Sequence, residues 1–160
     1  MMRTSTVPAP LPYSWILTGE LAIGPMPRSL SHWSQLKTAG FRSCFSCCYP
    51  SELIIPPDNP DEWVARTVAL PDHRDQEPLS LERLTEALDE AQALIDQAAP
   101  LYLHCFASRE RSPLMAIGLA ARRRGLSMFE ALDWVRRCHP PSMPIYSQLA
   151  LLEEALNASR

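Results

Sequence analysis

No stretch of this 160-residue chain approaches the ~18 to 20 uninterrupted apolar residues that cross a bilayer, and residues 1–12 carry no apolar run of the kind found in an export signal. A cytoplasmic protein is therefore expected. Charge of one sign is also lacking. Fifteen basic against 18 acidic side chains leave a net charge of −3, no field with which to hold nucleic acid or an anionic membrane. Lysine is nearly absent: Lys37 is the single one among 15 cations, an arginine bias that serves phosphate binding or simply follows genome base composition. There is no internal repeat and no nucleotide or flavin motif.

The five cysteines (Cys44, Cys47, Cys48, Cys105, Cys138) are an odd number in a chain large enough to fold without staples, which fits reduced thiols better than a disulfide framework. Cys44, Cys47 and Cys48 lie in an apolar stretch with no second ligand pair, a poor zinc pattern, and read as buried structural thiols. No metal or other cofactor is expected.

What is present is one core's worth of apolar side chains, 46% of the residues against 21% charged, the usual content of one domain. Of the 16 prolines, 13 cluster at 8–12, 25–27, 56–60, 71–78 and 140–144, and mark joints between periodic stretches. Residues 1–12 have no hydrophobic period and read as a flexible tail, with the domain running over 13–160. Trp15 to Leu17 and Leu21 to Ile23 predict a pair of edge strands ending at Gly24-Pro25; Phe41 to Tyr49, Val64 to Leu70 and Leu101 to Leu103 predict buried strands. Helical spacing predicts helices over 29–39, from a Ser80 cap to before Pro100, from about Pro113 to Gly125, from a Ser127/Glu130 capping box to Cys138, and over 145–156. Arg122-Arg123-Arg124 at one helix end reads as a solvated, dipole-favoured terminus. Strands alternating with helices give an α/β fold, a central, mostly parallel sheet flanked by helices.

The informative segment runs from Leu103 to Pro113, between a buried strand and a helix. Backbone N–H groups in such a loop converge on a dianion, and the positive end of the following helix adds to the attraction. Phosphate is the natural guest. Cys105, at the mouth of the cradle, feels the same potential, which favours thiolate over thiol and makes a nucleophile. Arg111 can return to the loop and hold two phosphate oxygens through its planar fork, and Ser112 can donate to the sulfur as the thiolate leaves. Phe106, Ala107, Ser108, Arg109 and Glu110 form the remainder of the anion-binding loop.

The run strand, His-Cys-x5-Arg-Ser, helix resembles the signature of the cysteine-dependent protein tyrosine phosphatase superfamily, and the chain's length and order resemble its compact dual-specificity branch. Gly24-Pro25-Met26-Pro27, Leu70-Pro71-Asp72-His73 and Gln148 extend the resemblance from about Tyr13 to the C-terminus. The late position of Cys105 separates the chain from the low-molecular-weight phosphatases. The resemblance implies a single-domain phosphatase fold and hydrolysis of a phosphorylated protein, or another phosphomonoester, through a cysteinyl-phosphate. It also implies that His104 braces the loop, and that an aspartate on a separate loop shuttles the proton. Asp72 and Asp75 both qualify; Asp72, directly after a strand and before His73, is preferred, while Asp75 is the better placed counting back from Pro78.

Two further expectations follow from the same resemblance. Ser108 stands where the family's loop usually has glycine, so loop geometry or turnover is expected to suffer, and a phosphate-recognition module with weak catalysis is the alternative function. The strand carrying Cys47 and Cys48 should neighbour the strand leading to Cys105, which would let either thiol trap an oxidised Cys105. Arg109 and Glu110 nearly cancel, leaving few cations for a multiply phosphorylated lipid and favouring phosphotyrosine. A rhodanese-like sulfur transferase also places a cysteine in an anion-friendly loop, but the His-Cys-x5-Arg-Ser run fits phosphatases better. The sequence points to no particular oligomeric state.

Overall fold

The computed structural model describes residues 9–53 and 63–158. The proline cluster at 56–60 and the first eight residues of the expected tail lie outside them. Of the remaining tail, Leu11 is 5% exposed and donates its N–H to Gln35 Oε1 at 2.8 Å, so order extends at least to Leu11 and does not begin at Tyr13.

Five strands and five α-helices follow in the order β1 (Ser14–Leu17), β2 (Leu21–Pro25), α1 (Leu30–Thr38), β3 (Ser43–Ser46), β4 (Val64–Thr67), α2 (Leu81–Ala98), β5 (Leu101–Cys105), α3 (Arg111–Arg124), α4 (Met128–Cys138) and α5 (Tyr146–Ala158), with a short 3-10 turn, Pro50–Glu52, between β3 and β4. The sheet order is β1-β2-β5-β3-β4, parallel except for the β1/β2 hairpin. The expectation of two edge strands is half corrected: β1 is an edge, but β2 pairs with β5 and is buried. β4 corrects another, for Ala65, Arg66 and Thr67 are exposed at the far edge of the sheet, where among the described residues no further strand pairs with it.

The helix ends are set by the side chains that satisfy their free N–H groups. Ser29 and Ser80 cap α1 and α2, and Ser127 with Glu130 closes a capping box on α4. Arg122, Arg123 and Arg124 pair with Asp89, Asp96 and Glu20, so the basic helix end is spent on neighbours within the chain.

Two cores sandwich the sheet. The main one packs α2 to α5 on one face, and the smaller one, with Leu11, Trp33, Leu36, Phe41, Cys44, Trp63 and Tyr102, lies under α1 on the other. β5 is buried along its whole length, as the middle strand of the five must be. No helix among the described residues is long and apolar enough to cross a membrane.

Candidate active site

Alternation along β5 decides which way the reactive groups face. Leu101, Leu103 and Cys105 point into the main core, while Tyr102 joins the aromatic cluster opposite. The His104 ring stands 6.0 Å from that of Tyr102. The chain then turns through residues 106–110 and enters α3 at Arg111, where no side chain caps the first turn. The open N–H groups and dipole of a 14-residue helix are thus aimed back at the loop.

Within the loop, Cys105 is 2% exposed and its Sγ lies 3.3 Å from Ser112 Oγ. Ser112 Oγ lies in turn 3.2 Å from Ser108 Oγ. Ser108 has φ +57°, the left-handed conformation that glycine tolerates best, and its carbonyl accepts a hydrogen bond from His139 Nε2 at 2.7 Å. The Phe106 carbonyl accepts from Met26 N–H and the Arg109 carbonyl from Met143 N–H, so the Gly24–Pro27 turn and the segment after α4 both tether the loop.

Arg111 is almost fully buried. Its two terminal nitrogens donate to the two carboxylate oxygens of Glu52, both at 2.8 Å, and one also reaches the carbonyls of Cys47 and Leu70 at 3.3 Å. Burial works against the charge on Arg111, but Glu52 outweighs it and holds the guanidinium firmly protonated. The hydrogen bond from Arg111 likewise holds the Glu52 carboxyl below its ordinary range.

Asp72 stands across the cavity, with Oδ2 at 3.7 Å from Arg111. Its Oδ1 accepts from Arg74 N–H at 2.9 Å and its Oδ2 from Arg74 Nε at 2.8 Å. Partial burial works to raise the Asp72 pKa, but the bonds from Arg74 and the field of Arg111 prevail and lower it. Asp75 takes a supporting position: its Oδ2 accepts the Asp72 N–H at 2.8 Å, and it lines a neighbouring cleft with Gln148. Gln148 Nε2 donates to the Pro71 carbonyl at 3.3 Å and steadies the same turn.

Glu110 binds both the backbone N–H and the ring Nδ1 of His73. The expected cancellation of Arg109 by Glu110 is therefore replaced by a bond between the two loops, and Arg109 stands exposed at the rim. The Arg28 guanidinium lies 4.9 Å from the centre of the Phe106 ring and adds a second rim cation. His104 is buried and its pKa is pushed down to about 4 by that burial. Its Nδ1 lies 3.4 Å from the Cys105 carbonyl and 4.0 Å from Cys48 Sγ.

The result is one cavity of about 170 Å³ that gathers Asp72, Cys105, Phe106, Ala107, Arg109, Glu110 and Arg111. Ser108, Ser112 and His104 lie behind it, in the loop's buried support. His73 and Arg74 also line it and were not anticipated, nor were Glu52 and His139. An electrophilic phosphorus placed there meets the Cys105 sulfur, the fixed Arg111 guanidinium and the α3 N-terminus from one continuous segment, and the Asp72 carboxyl group from a separate loop.

No protein-family profile matches the chain. It is 25% identical over 107 residues to dual specificity protein phosphatase 1 of Arabidopsis thaliana, a match covering 64% of this chain and 52% of that protein, so the chain spans about half the length of the curated relative it matches. Among solved structures, the human tyrosine phosphatase-like serine/threonine/tyrosine-interacting protein superposes with a TM-score of 0.78 at 16% identity, covering 92% of this chain and 97% of that one. Human DUSP28 superposes with a TM-score of 0.75 at 22% identity, covering 95% and 97%. The α/β fold with its mostly parallel sheet is that of the compact dual-specificity phosphatases, the branch that the Cys105 loop resembles.

Proposed function

We propose that this chain is a phosphomonoester hydrolase of the protein tyrosine/dual-specificity type, acting on phosphotyrosine or phosphoserine/threonine in proteins and requiring no metal. The observation that carries the proposal is the convergence of Cys105, Arg111 and Asp72 on one cavity at the N-terminus of α3. In the first step the Cys105 thiolate attacks phosphorus, the ester P–O bond breaks, and Asp72 gives its proton to the leaving oxygen. In the second a water attacks the cysteinyl-phosphate, Asp72 takes the water's proton, and the S–P bond breaks with Ser112 donating to the departing sulfur. Arg111, already aligned by Glu52, offers fixed charge to the equatorial oxygens in both steps.

Hydrolysis of an aryl phosphate in the presence of a chelator, inhibited by vanadate and abolished in Cys105→Ser, is the expected behaviour. Full activity in that variant would refute the mechanism. The alternative, a module that captures phosphate without turnover, draws its support from Ser108 in the left-handed region and from an Asp72 held deprotonated by Arg74. Phosphopeptide affinity measured beside phosphate release separates the two, since the binder captures at micromolar concentration and releases none.

A further inference from the structure

Three buried groups stand in line from the cavity wall inward: Cys105 Sγ, Ser112 Oγ and Ser108 Oγ, at successive separations of 3.3 and 3.2 Å. All three residues are at most 2% exposed, so the chain of contacts is shielded from bulk solvent. A thiolate can only accept hydrogen bonds, and a hydroxyl has one proton to give. When Cys105 is ionised, Ser112 must spend its proton on the sulfur, and its oxygen is then left to accept. Ser108 is the group in reach to supply that second bond.

We propose that Ser108 is a positioning residue which, by donating to Ser112, fixes the Ser112 proton on the Cys105 sulfur. This deepens the hydrolase reading and rests on it. Polarisation along the chain strengthens the final bond to sulfur, in the attacking thiolate and in the leaving thiolate alike. A second anchor keeps the donor in place. The Ser108 carbonyl can only accept, so the bond at 2.7 Å assigns the proton to His139 Nε2, and the other ring nitrogen of His139 meets Ser14 Oγ at 2.8 Å. His139 is itself 7% exposed and comes from the end of α4, so the left-handed turn at Ser108 is held from outside the loop. The side chain that strains the backbone is thus the one that orders the nucleophile's hydrogen bonds.

The test is the rate of iodoacetamide alkylation at Cys105 as a function of pH, read by mass spectrometry and needing no substrate, together with the rate of cysteinyl-phosphate breakdown. Ser108→Gly removes the hydroxyl and relieves the backbone; Ser108→Ala removes the hydroxyl and leaves the backbone strained. Both are expected to move the alkylation midpoint to higher pH and to slow breakdown by about two- to tenfold. In a Ser112→Ala background the same Ser108→Gly change is expected to have no further effect. A wild-type alkylation profile in Ser108→Gly overturns the proposal, and so does an equal effect with and without Ser112, which would place the cause in the backbone. Neither result touches the hydrolase reading, which fails instead on an active Cys105→Ser protein.

Discussion

Glu52 and Arg111, 59 residues apart in sequence, meet through two parallel hydrogen bonds of 2.8 Å that fix the plane of the guanidinium at the cavity wall. Glu52→Gln keeps the shape and removes the charge. The variant is expected to bind vanadate more weakly, to lose about tenfold or more in kcat/KM, and to unfold on the order of 2 kcal/mol more easily, less than for a fully buried pair because Glu52 retains some exposure. Titration with vanadate, steady-state kinetics and a urea melt check the three.

In the proposed mechanism Asp72 must carry a proton to act first as an acid, yet the bonds from Arg74 lower its pKa and favour the ionised form. Turnover should therefore fall as pH rises through the lowered Asp72 pKa. Arg74→Ala releases the carboxyl, so the basic limb of the kcat profile is expected to move to higher pH. Asp72→Asn should lower kcat about 100-fold or more, and Asp75→Asn much less, since Asp75 supports the turn from behind. The reverse order would transfer the acid to Asp75.

His104 is buried without charge, its pKa pushed down to about 4 from 6.5. The unfolded chain therefore binds more protons than the folded one between these values, and stability falls as pH falls through that window. The expected His104 contribution to the loss between pH 7 and pH 4.5 is about 2 to 3 kcal/mol, added to that of the carboxylates, which begin to titrate at the acid end of the same window. Urea melts of wild type and His104→Asn at the two pH values test this; the variant should show a flatter dependence.

Cys47 continues β3 beyond Ser46, the partner of His104, and so stands beside Cys105 on the adjoining strand, in the same core. Neighbouring strands lie within the ~4.4 to 6.8 Å Cα range of a disulfide. Peroxide would oxidise the Cys105 thiolate to the sulfenic acid; attack by the Cys47 thiol then expels water and leaves a disulfide. Mild peroxide is expected to give a Cys47–Cys105 peptide by mass spectrometry, reversible by dithiothreitol, and over-oxidised Cys105 alone would count against it.

Gly24 is required by space. A Cβ there would lie 2.5 Å from Tyr102 Oη and 2.9 Å from the Pro12 carbonyl, and the Tyr102 hydroxyl is itself tied to the Pro25 carbonyl. Gly24→Ala is expected to lower stability by about 1 to 3 kcal/mol, read as a lower Tm.

The elements that carry local signals were legible: the serine caps, the Ser127/Glu130 box, and the strand and helix flanking Cys105. So was the nearness of Cys105 and Arg111, which the loop pattern carries together, while Asp72, preferred to Asp75 only through the family resemblance, lines the same cavity. Glu52 was not, since a single carboxylate after Tyr49-Pro50-Ser51 has no local sign of a partner 59 positions away. His139 is hidden for the same reason, its contacts with Ser14 and Ser108 being made by topology, whereas Arg74 holds Asp72 from two positions away, a local contact that the residue types alone do not announce. The exposure of β4 and the burial of β2 depend on strand order, which hydrophobic runs do not encode. Glu110 was misjudged because adjacency to Arg109 is weaker than a partner brought in by folding, His73.

In the proposed hydrolase that last contact moors the turn bearing Asp72 to the loop bearing Cys105. With the two already joined, no large swing of one toward the other is needed once a substrate arrives. The entropy of assembling the cleft is lost once, when the chain folds, and each catalytic cycle begins from a cleft that is already built.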